Sequence, residues 1–215
     1  MTALATPSIR LFPTRTSPGV ASVALRTIRP DDAGALQDFV RALAPVSRRM
    51  RFHAGVRELS ESALRALTCT DECAHIAFVL TTTERGAERI VGEARYVVSG
   101  DGETAEFAIA VADAFQGLGL AQRLLAAVID AARAAGLRWL VGEVLADNAR
   151  MLAFVRRLGF AETTRGGLAP GLVRVERCVD LPLVVTQAAG SWGWAARRRV
   201  RRVLAAWRPS RVPAA

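Results

Sequence analysis

Lysine is absent: all 29 basic residues of this 215-residue chain are arginine, so it carries no side-chain primary amine. Cysteine is scarce. Cys69, Cys73 and Cys178 are an odd number, which argues against a disulfide framework and makes a reducing cytosol the default compartment. Cys69, Cys73 and His75 lie close together, yet Cys-x3-Cys is a poor zinc spacing and no fourth ligand stands nearby, so no metal is expected. No apolar run approaches the roughly 18 residues that span a bilayer. Acids are missing from both ends. Met1 to Ser22 has Arg10 and Arg15, several Ser and Thr, and neither an acid nor a compact apolar signal region, and it reads as a disordered tail over 1–22. All 20 acids lie at or before Asp180, whereas seven arginines follow it (Arg197, Arg198, Arg199, Arg201, Arg202, Arg208 and Arg211). Taking those seven from 29 leaves 22 basic against 20 acidic residues, a net of +2. The overall charge of +9 therefore describes a C-terminal extension over 184–215, not the folded part.

What is present suits one ordinary domain over 23–183. Half of the residues are apolar (51%), enough for a substantial core. Ser22 to Ile28 reads as a strand. Asp31 is placed to cap a helix carrying Leu36, Phe39, Val40 and Leu43 at helical spacing, and Pro45 should stop that helix. Ser47 to Phe52 reads as irregular, and Ser60 as the cap of a short helix through Leu67. Strands follow from Ile76, over Ile90–Val98 and over Glu103–Val111, the last two joined by the turn signal Ser99-Gly100-Asp101-Gly102. A helix from about Gly117 to Ala135, closed by Gly136, leads to a strand over Trp139–Val144 and a helix from Asn148 to Leu158, closed by Gly159. Phe160–Thr164 and Leu172–Val179 end the pattern as strands. The fold class is mixed α/β (α+β), not a doubly wound nucleotide fold.

Gln116-Gly117-Leu118-Gly119-Leu120-Ala121 joins a strand to a helix. Glycines there let the backbone approach a ligand, and amides at a helix N-terminus suit a pyrophosphate. By itself such a segment also describes a glycine-bearing turn before a core helix. Downstream stand Asn148-x2-Met151-x7-Gly159-Phe160 and, upstream, Ala105-Glu106-Phe107-Ala108. With Ile28-Arg29-Pro30-Asp31-Asp32-Ala33 and Gly142-Glu143-Val144-Leu145-Ala146-Asp147-Asn148, these blocks resemble the GNAT acyltransferase superfamily. They are similar in particular to the GNAT domain of bacterial protein lysine acetyltransferases, over roughly Val23 to Leu181.

That resemblance implies a mainly antiparallel sheet with a splayed central strand pair and flanking helices. It implies acetyl-CoA as co-substrate, with the pantetheine beside Ile109, Ala110 and Val111, the phosphates on Gln116, Gly117, Leu118, Gly119, Leu120 and Ala121, and Asn148 on the CoA arm. It implies Glu106 as the general base that takes a proton from the acceptor amine. Apolar neighbours on its strand are expected to desolvate this carboxyl and raise its pKa; the competing reading is a solvated glutamate on a half-exposed strand. Many relatives carry an acidic tyrosine seven residues after the Asn, where this chain has Val155. His53 and His75 lie outside the matched blocks and read as structural before catalytic. The implied reaction is acyl transfer to a primary amine, a protein lysine ahead of a small amine of the aminoglycoside kind. A lysine-directed enzyme of this sequence has no side chain of its own to modify. A non-catalytic acyl-CoA-binding module is the remaining alternative.

The resemblance stops before the extension. Ala196, Val200, Val203, Leu204 and Trp207 share one face of a helical pattern whose remainder is arginine. Such an arm suits an anionic membrane surface or an acidic partner, ahead of nucleic acid, and suits equally a helix docked on its own domain. The expected location is cytoplasmic, peripheral to the membrane if the arm engages it.

Overall fold

The computed structural model describes residues 23–71, 73–84, 86–163 and 169–181. The N-terminal tail and the basic extension lie outside the described residues. Seven strands form one sheet: β1 (Val23–Thr27), β2 (His75–Glu84), β3 (Ala87–Val98), β4 (Thr104–Val111), β5 (Trp139–Leu145), β6 (Ala161–Thr163) and β7 (Leu172–Cys178). Their order is β1-β2-β3-β4-β5-β7-β6. Every neighbouring pair is antiparallel except β4 and β5. Among the described residues five α-helices flank it: α1 (Ala33–Ala42), α2 (Pro45–Phe52), α3 (Glu61–Thr68), α4 (Leu120–Ala134) and α5 (Ala149–Arg157).

Side-chain alternation decides which helix covers which face. α4 buries Leu120, Leu124, Leu125, Val128, Ile129 and Ala132 against β2, β3 and β4. Gly92 lets it come close, since a Cβ there would stand 3.1 Å from a Leu124 methyl. The opposite face carries Glu93 and Arg95, and Arg51 of α2 and Leu67 of α3 bond to them. That face is thus covered by α1, α2 and α3, with α1 burying Leu36, Phe39 and Val40.

Several local expectations hold. Ser60 caps α3 by accepting the Ala63 N–H at 3.2 Å. Gly136 and Gly159 follow α4 and α5 with φ of 75° and 83°. The turn over 99–102 closes an antiparallel β3–β4 hairpin. Two expectations fail. Ser47 to Phe52 is helical, because Pro45 opens α2 at its first position, where a missing N–H costs nothing, and so starts a helix as well as following one. Asp31 does not cap α1. Pro30–Asp32 instead forms a 3-10 turn in which Asp32 accepts the Arg29 N–H at 2.7 Å. Asp32 is held there by Arg26, whose two terminal nitrogens reach its carboxylate at 2.7 Å each.

The central strands part company early. β4 and β5 pair only over Thr104–Trp139, Ala105–Leu140 and Glu106–Val141. Beyond Glu106, β4 follows β3 to Val111 while β5 follows β7 to Leu145. The Phe107 ring sits in the fork. It meets Phe160 with centroids 5.1 Å apart, and a Cβ on Gly142 would lie 2.6 Å from its edge.

Candidate active site

The fork opens into a cleft of about 900 Å3. Its geometry follows from hydrogen bonds the sheet leaves unmade. The Ala112 N–H donates to Val91 of β3, and Ser99 donates to the Thr104 carbonyl, so even-numbered residues of β4 address β3. Odd-numbered ones address β5, as the Glu103 carbonyl does in accepting from Arg138 and Trp139. After Glu106 there is no β5 partner. Phe107, Ile109 and Val111 therefore present backbone groups to the opening, an edge that an extended ligand can join.

Ile109, Ala110 and Val111 all line this cleft, but in different ways. The alternation turns the Ala110 amide toward β3, leaving its methyl as its contribution. The Val111 carbonyl accepts the Gln116 Nε2–H at 3.0 Å. Gln116, Gly117, Gly119, Leu120 and Ala121 line the cleft as well. Gly117 and Gly119 have φ of 77° and 76°, which a side chain would strain. No side chain caps α4. The first amides of this 15-residue helix thus face the cleft uncapped and can hold an anion. The Leu118 side chain does not line the cleft; it packs against the core. Asn148 lines the cleft and caps α5, its Oδ1 accepting the Met151 N–H at 3.1 Å.

Glu106 also lines the cleft, at the last paired position of β4. It is exposed, not desolvated. The apolar Ala105 and Phe107 beside it are buried on the other face and do not enclose it, so the expected desolvation is not found. Val155 is fully buried and offers no acid. The Tyr96 hydroxyl is also buried, where burial pushes it up to about 12, and it does not line the cleft.

The two histidines separate. His75 lies in a buried network, its Nε2 2.9 Å from Arg95 Nη1. Burial, then the Arg95 charge, holds it below its ordinary pKa, so the ring is neutral and accepts. His53 lines the cleft instead, at the end of α2, with a φ of 54°. A non-glycine residue held there is strained, and such strain concentrates at functional sites.

Sequence reading missed α2 as a wall of the cleft. The Ala44 N–H and the Ser47 hydroxyl donate to Asp113, just past β4, at 2.8 and 2.5 Å. Arg49 pairs with Asp147, just past β5, at 2.9 Å. The helix is thus tied to both arms of the fork and brings Val46, Met50 and Arg51 to the cleft. Arg150 was missed too. It stands two residues after Asn148 and donates to Gln116 Oε1 at 2.6 Å, fastening α5 to the loop before α4. Its position inside the Asn148 block was the available signal. Among the described residues no group of three or more His, Cys, Asp or Glu is placed to hold a metal ion.

Comparison with known proteins agrees with this geometry. The family described as acetyltransferase (GNAT) matches residues 45–160. An acetyltransferase of Pseudomonas aeruginosa is 34% identical over 138 residues, covering 64% of this chain and 74% of that protein. The acetyltransferase Pat of Mycolicibacterium smegmatis is 35% identical over 132 residues, 61% of this chain; the match spans only 38% of Pat. Among solved structures, the GNAT domain of S. lividans PAT superposes with a TM-score of 0.66 at 26% identity, covering 76% of this chain and 99% of that domain. The putative acetyltransferase yncA of Salmonella typhimurium, solved with its cofactor acetyl-CoA, shares the fold at a TM-score of 0.58 and 23% identity, over 75% and 96% of the two chains. The splayed β4–β5 pair, the glycine loop before α4 and these matches together place the chain in the GNAT family: it is an acetyl-CoA-dependent N-acetyltransferase.

Proposed function

We propose that the chain moves an acetyl (acyl) group from acyl-CoA to a protein lysine by direct attack of the amine on the thioester, with Glu106 as general base. The observation that carries this reading is the position of Glu106. It is the last β4 residue paired to β5, and it opens onto the cleft where the free strand edge begins. In this reading the pantetheine extends β5's side of the fork, pairing with Ile109 and Val111. The phosphates rest on Gly117 to Ala121, with Gln116 braced behind them by Arg150. Asn148 has spent its oxygen on capping α5 and donates through Nδ2 to the CoA arm. One of the free N–H groups at Ile109 or Val111 polarises the thioester carbonyl.

A lysine ammonium, near pKa 10.4, is not a nucleophile until deprotonated. Glu106 accepts that proton, directly or through one water, and the free amine attacks. The C–N bond forms, the C–S bond breaks, and the thiolate leaves. With Val155 buried where relatives carry a tyrosine, the leaving thiolate, near pKa 8.5, departs without a dedicated acid.

Protein lysine is favoured over a small amine by two features. The matched blocks resemble those of bacterial protein lysine acetyltransferases, and the Glu106 side of the cleft is open, with Glu106 and Val46 both exposed. A folded acceptor's side chain can reach such a mouth, whereas small polyamines call for a deep acidic pocket. The transferase domain spans 23–183 in this reading. The arm over 184–215 serves an anionic membrane surface or acidic partner; none of the described helices is long and apolar enough to cross a membrane.

The test is an acceptor panel. Acetyl-CoA with acetyl-CoA synthetase as acceptor protein should give CoA release and acetyl-lysine by mass spectrometry, with aminoglycosides left unmodified. Turnover on aminoglycosides alone would reassign the acceptor, and acyl-CoA binding with no turnover on any amine would make the chain a binding module.

A further inference from the structure

Two cations share one buried carboxylate beside the cleft. Glu93 is 2% exposed, and it accepts from Arg95 Nε and, at 3.3 Å, from Arg51 Nη2. Arg95 is the closer partner and is itself held by the Leu67 carbonyl and by His75. His75 is neutral, so the cluster of Glu93, Arg95, Arg51 and His75 carries a net positive charge. Arg51 and Arg95 each keep one buried nitrogen without an acceptor, and of the two Arg51 has the fewer polar partners. Its side chain is only 13% exposed, its Nε is buried with no acceptor, and Glu93 is its one polar partner among the described residues. Its guanidinium also lies over the Phe52 ring, 5.0 Å from the centroid, but a ring face offers no anionic acceptor. A largely desolvated guanidinium with a single shared carboxylate is costly unless a second anion completes it. Arg51 lines the cleft.

Register says where that anion comes from. Glu93 is the cross-strand partner of Ala110, and Ala110 lies between the two free-edge residues Ile109 and Val111. Arg51 therefore stands over the segment assigned to the acyl-CoA arm, while Glu106, where the acceptor amine is deprotonated, lies four residues back along β4. We propose that Arg51 forms a carboxylate-binding subsite for the acyl group, so that the cleft takes CoA monothioesters of short dicarboxylic acids as well as acetyl-CoA. The inference rests on acyl-CoA lying along Ile109–Val111. The transfer step is unchanged by it: the thioester C–S bond breaks, the amide C–N bond forms, and the distal carboxylate is held but not consumed. Arginine suits the task, since its planar fork matches a carboxylate with two parallel donors.

Calorimetric binding of succinyl-CoA against butyryl-CoA, a neutral thioester of equal chain length, tests this without any acceptor. The wild type should bind succinyl-CoA on the order of 10- to 100-fold more tightly. That ratio should fall to about one in Arg51→Met and lie between in Arg51→Lys. A wild-type ratio near one overturns the proposal, and so does a high ratio that survives Arg51→Met. The wild-type ratio needs no variant, so it decides the question even if Arg51→Met fails to fold. If Arg51 variants instead lose turnover only on acceptors bearing a carboxylate beside the amine, the subsite belongs to the acceptor and the acyl assignment is wrong. Failure of all three proteins to bind either thioester, or CoA itself, would instead refute the placement of acyl-CoA in this cleft.

Discussion

The ring of His75 can accept from Arg95 only while neutral, and that makes stability depend on pH. Burial and Arg95 set its folded pKa below the ordinary value of 6.5. The unfolded chain therefore takes up a proton first as pH falls, so this contribution is complete above about 6.5 and is lost as pH drops below it. Asp32, Glu88 and Glu93 behave differently. Burial raises Asp32 and Glu93, but the adjacent guanidiniums outweigh it, and all three carboxyls sit below their ordinary values of 3.8 and 4.5. Their contribution is complete above about 4.5 and disappears below it. Melting temperature followed from pH 8 to pH 4 should begin to decline near 6.5 and fall more steeply below 4.5. In His75→Gln the first onset should vanish and the second remain. A flat profile between pH 7 and pH 5 in the wild type would remove His75 from this account.

At the scale of elements, the fork depends on one ring against one glycine. Phe107 occupies the space a Gly142 side chain would need, and at 2.6 Å the buried ring, packed on Phe160, would have to shift to admit one. Gly142→Ala should destabilise the fold by roughly 1–3 kcal/mol through overpacking. It should also weaken acetyl-CoA binding, because β4 and β5 are forced to new positions. Pairing it with Phe107→Leu should recover part of both losses, and a double-mutant cycle reads that coupling. Strict additivity would mean that the contact does not set the fork. The strands and helices around this point were legible in the sequence, because alternation in β4 and the four-residue repeat of α4 are periodic signals. The fork was legible only through family resemblance. Where two strands stop pairing depends on a contact between Phe107 and Gly142, 35 positions apart, and no local pattern encodes it. α2 was lost for a local reason: a proline that follows one helix, ended at Ala42, also opens the next.

For the whole molecule, the cleft is assembled from three separate stretches: the end of β4 with the α4 loop, the β5–α5 junction, and α2. The first two carry motifs and were readable. The third was not, since Arg49, Arg51 and Ser47 acquire meaning only through Asp147, Glu93 and Asp113, between 42 and 98 positions away. Glu106 shows the same limit in one residue. Its place before the glycine loop was readable, but its exposure was not, because neighbours in sequence lie on opposite faces of a strand. An exposed base must take its proton at the mouth of the cleft, where the acceptor enters, and catalysis should fail there without loss of CoA binding. The most direct measurement is therefore kcat for acetyl transfer by Glu106→Gln beside its affinity for acetyl-CoA. A fall of about 10^2- to 10^4-fold in kcat, with affinity within about threefold of wild type, is the predicted result. Retention of kcat within a few-fold of wild type would contradict Glu106 as the base.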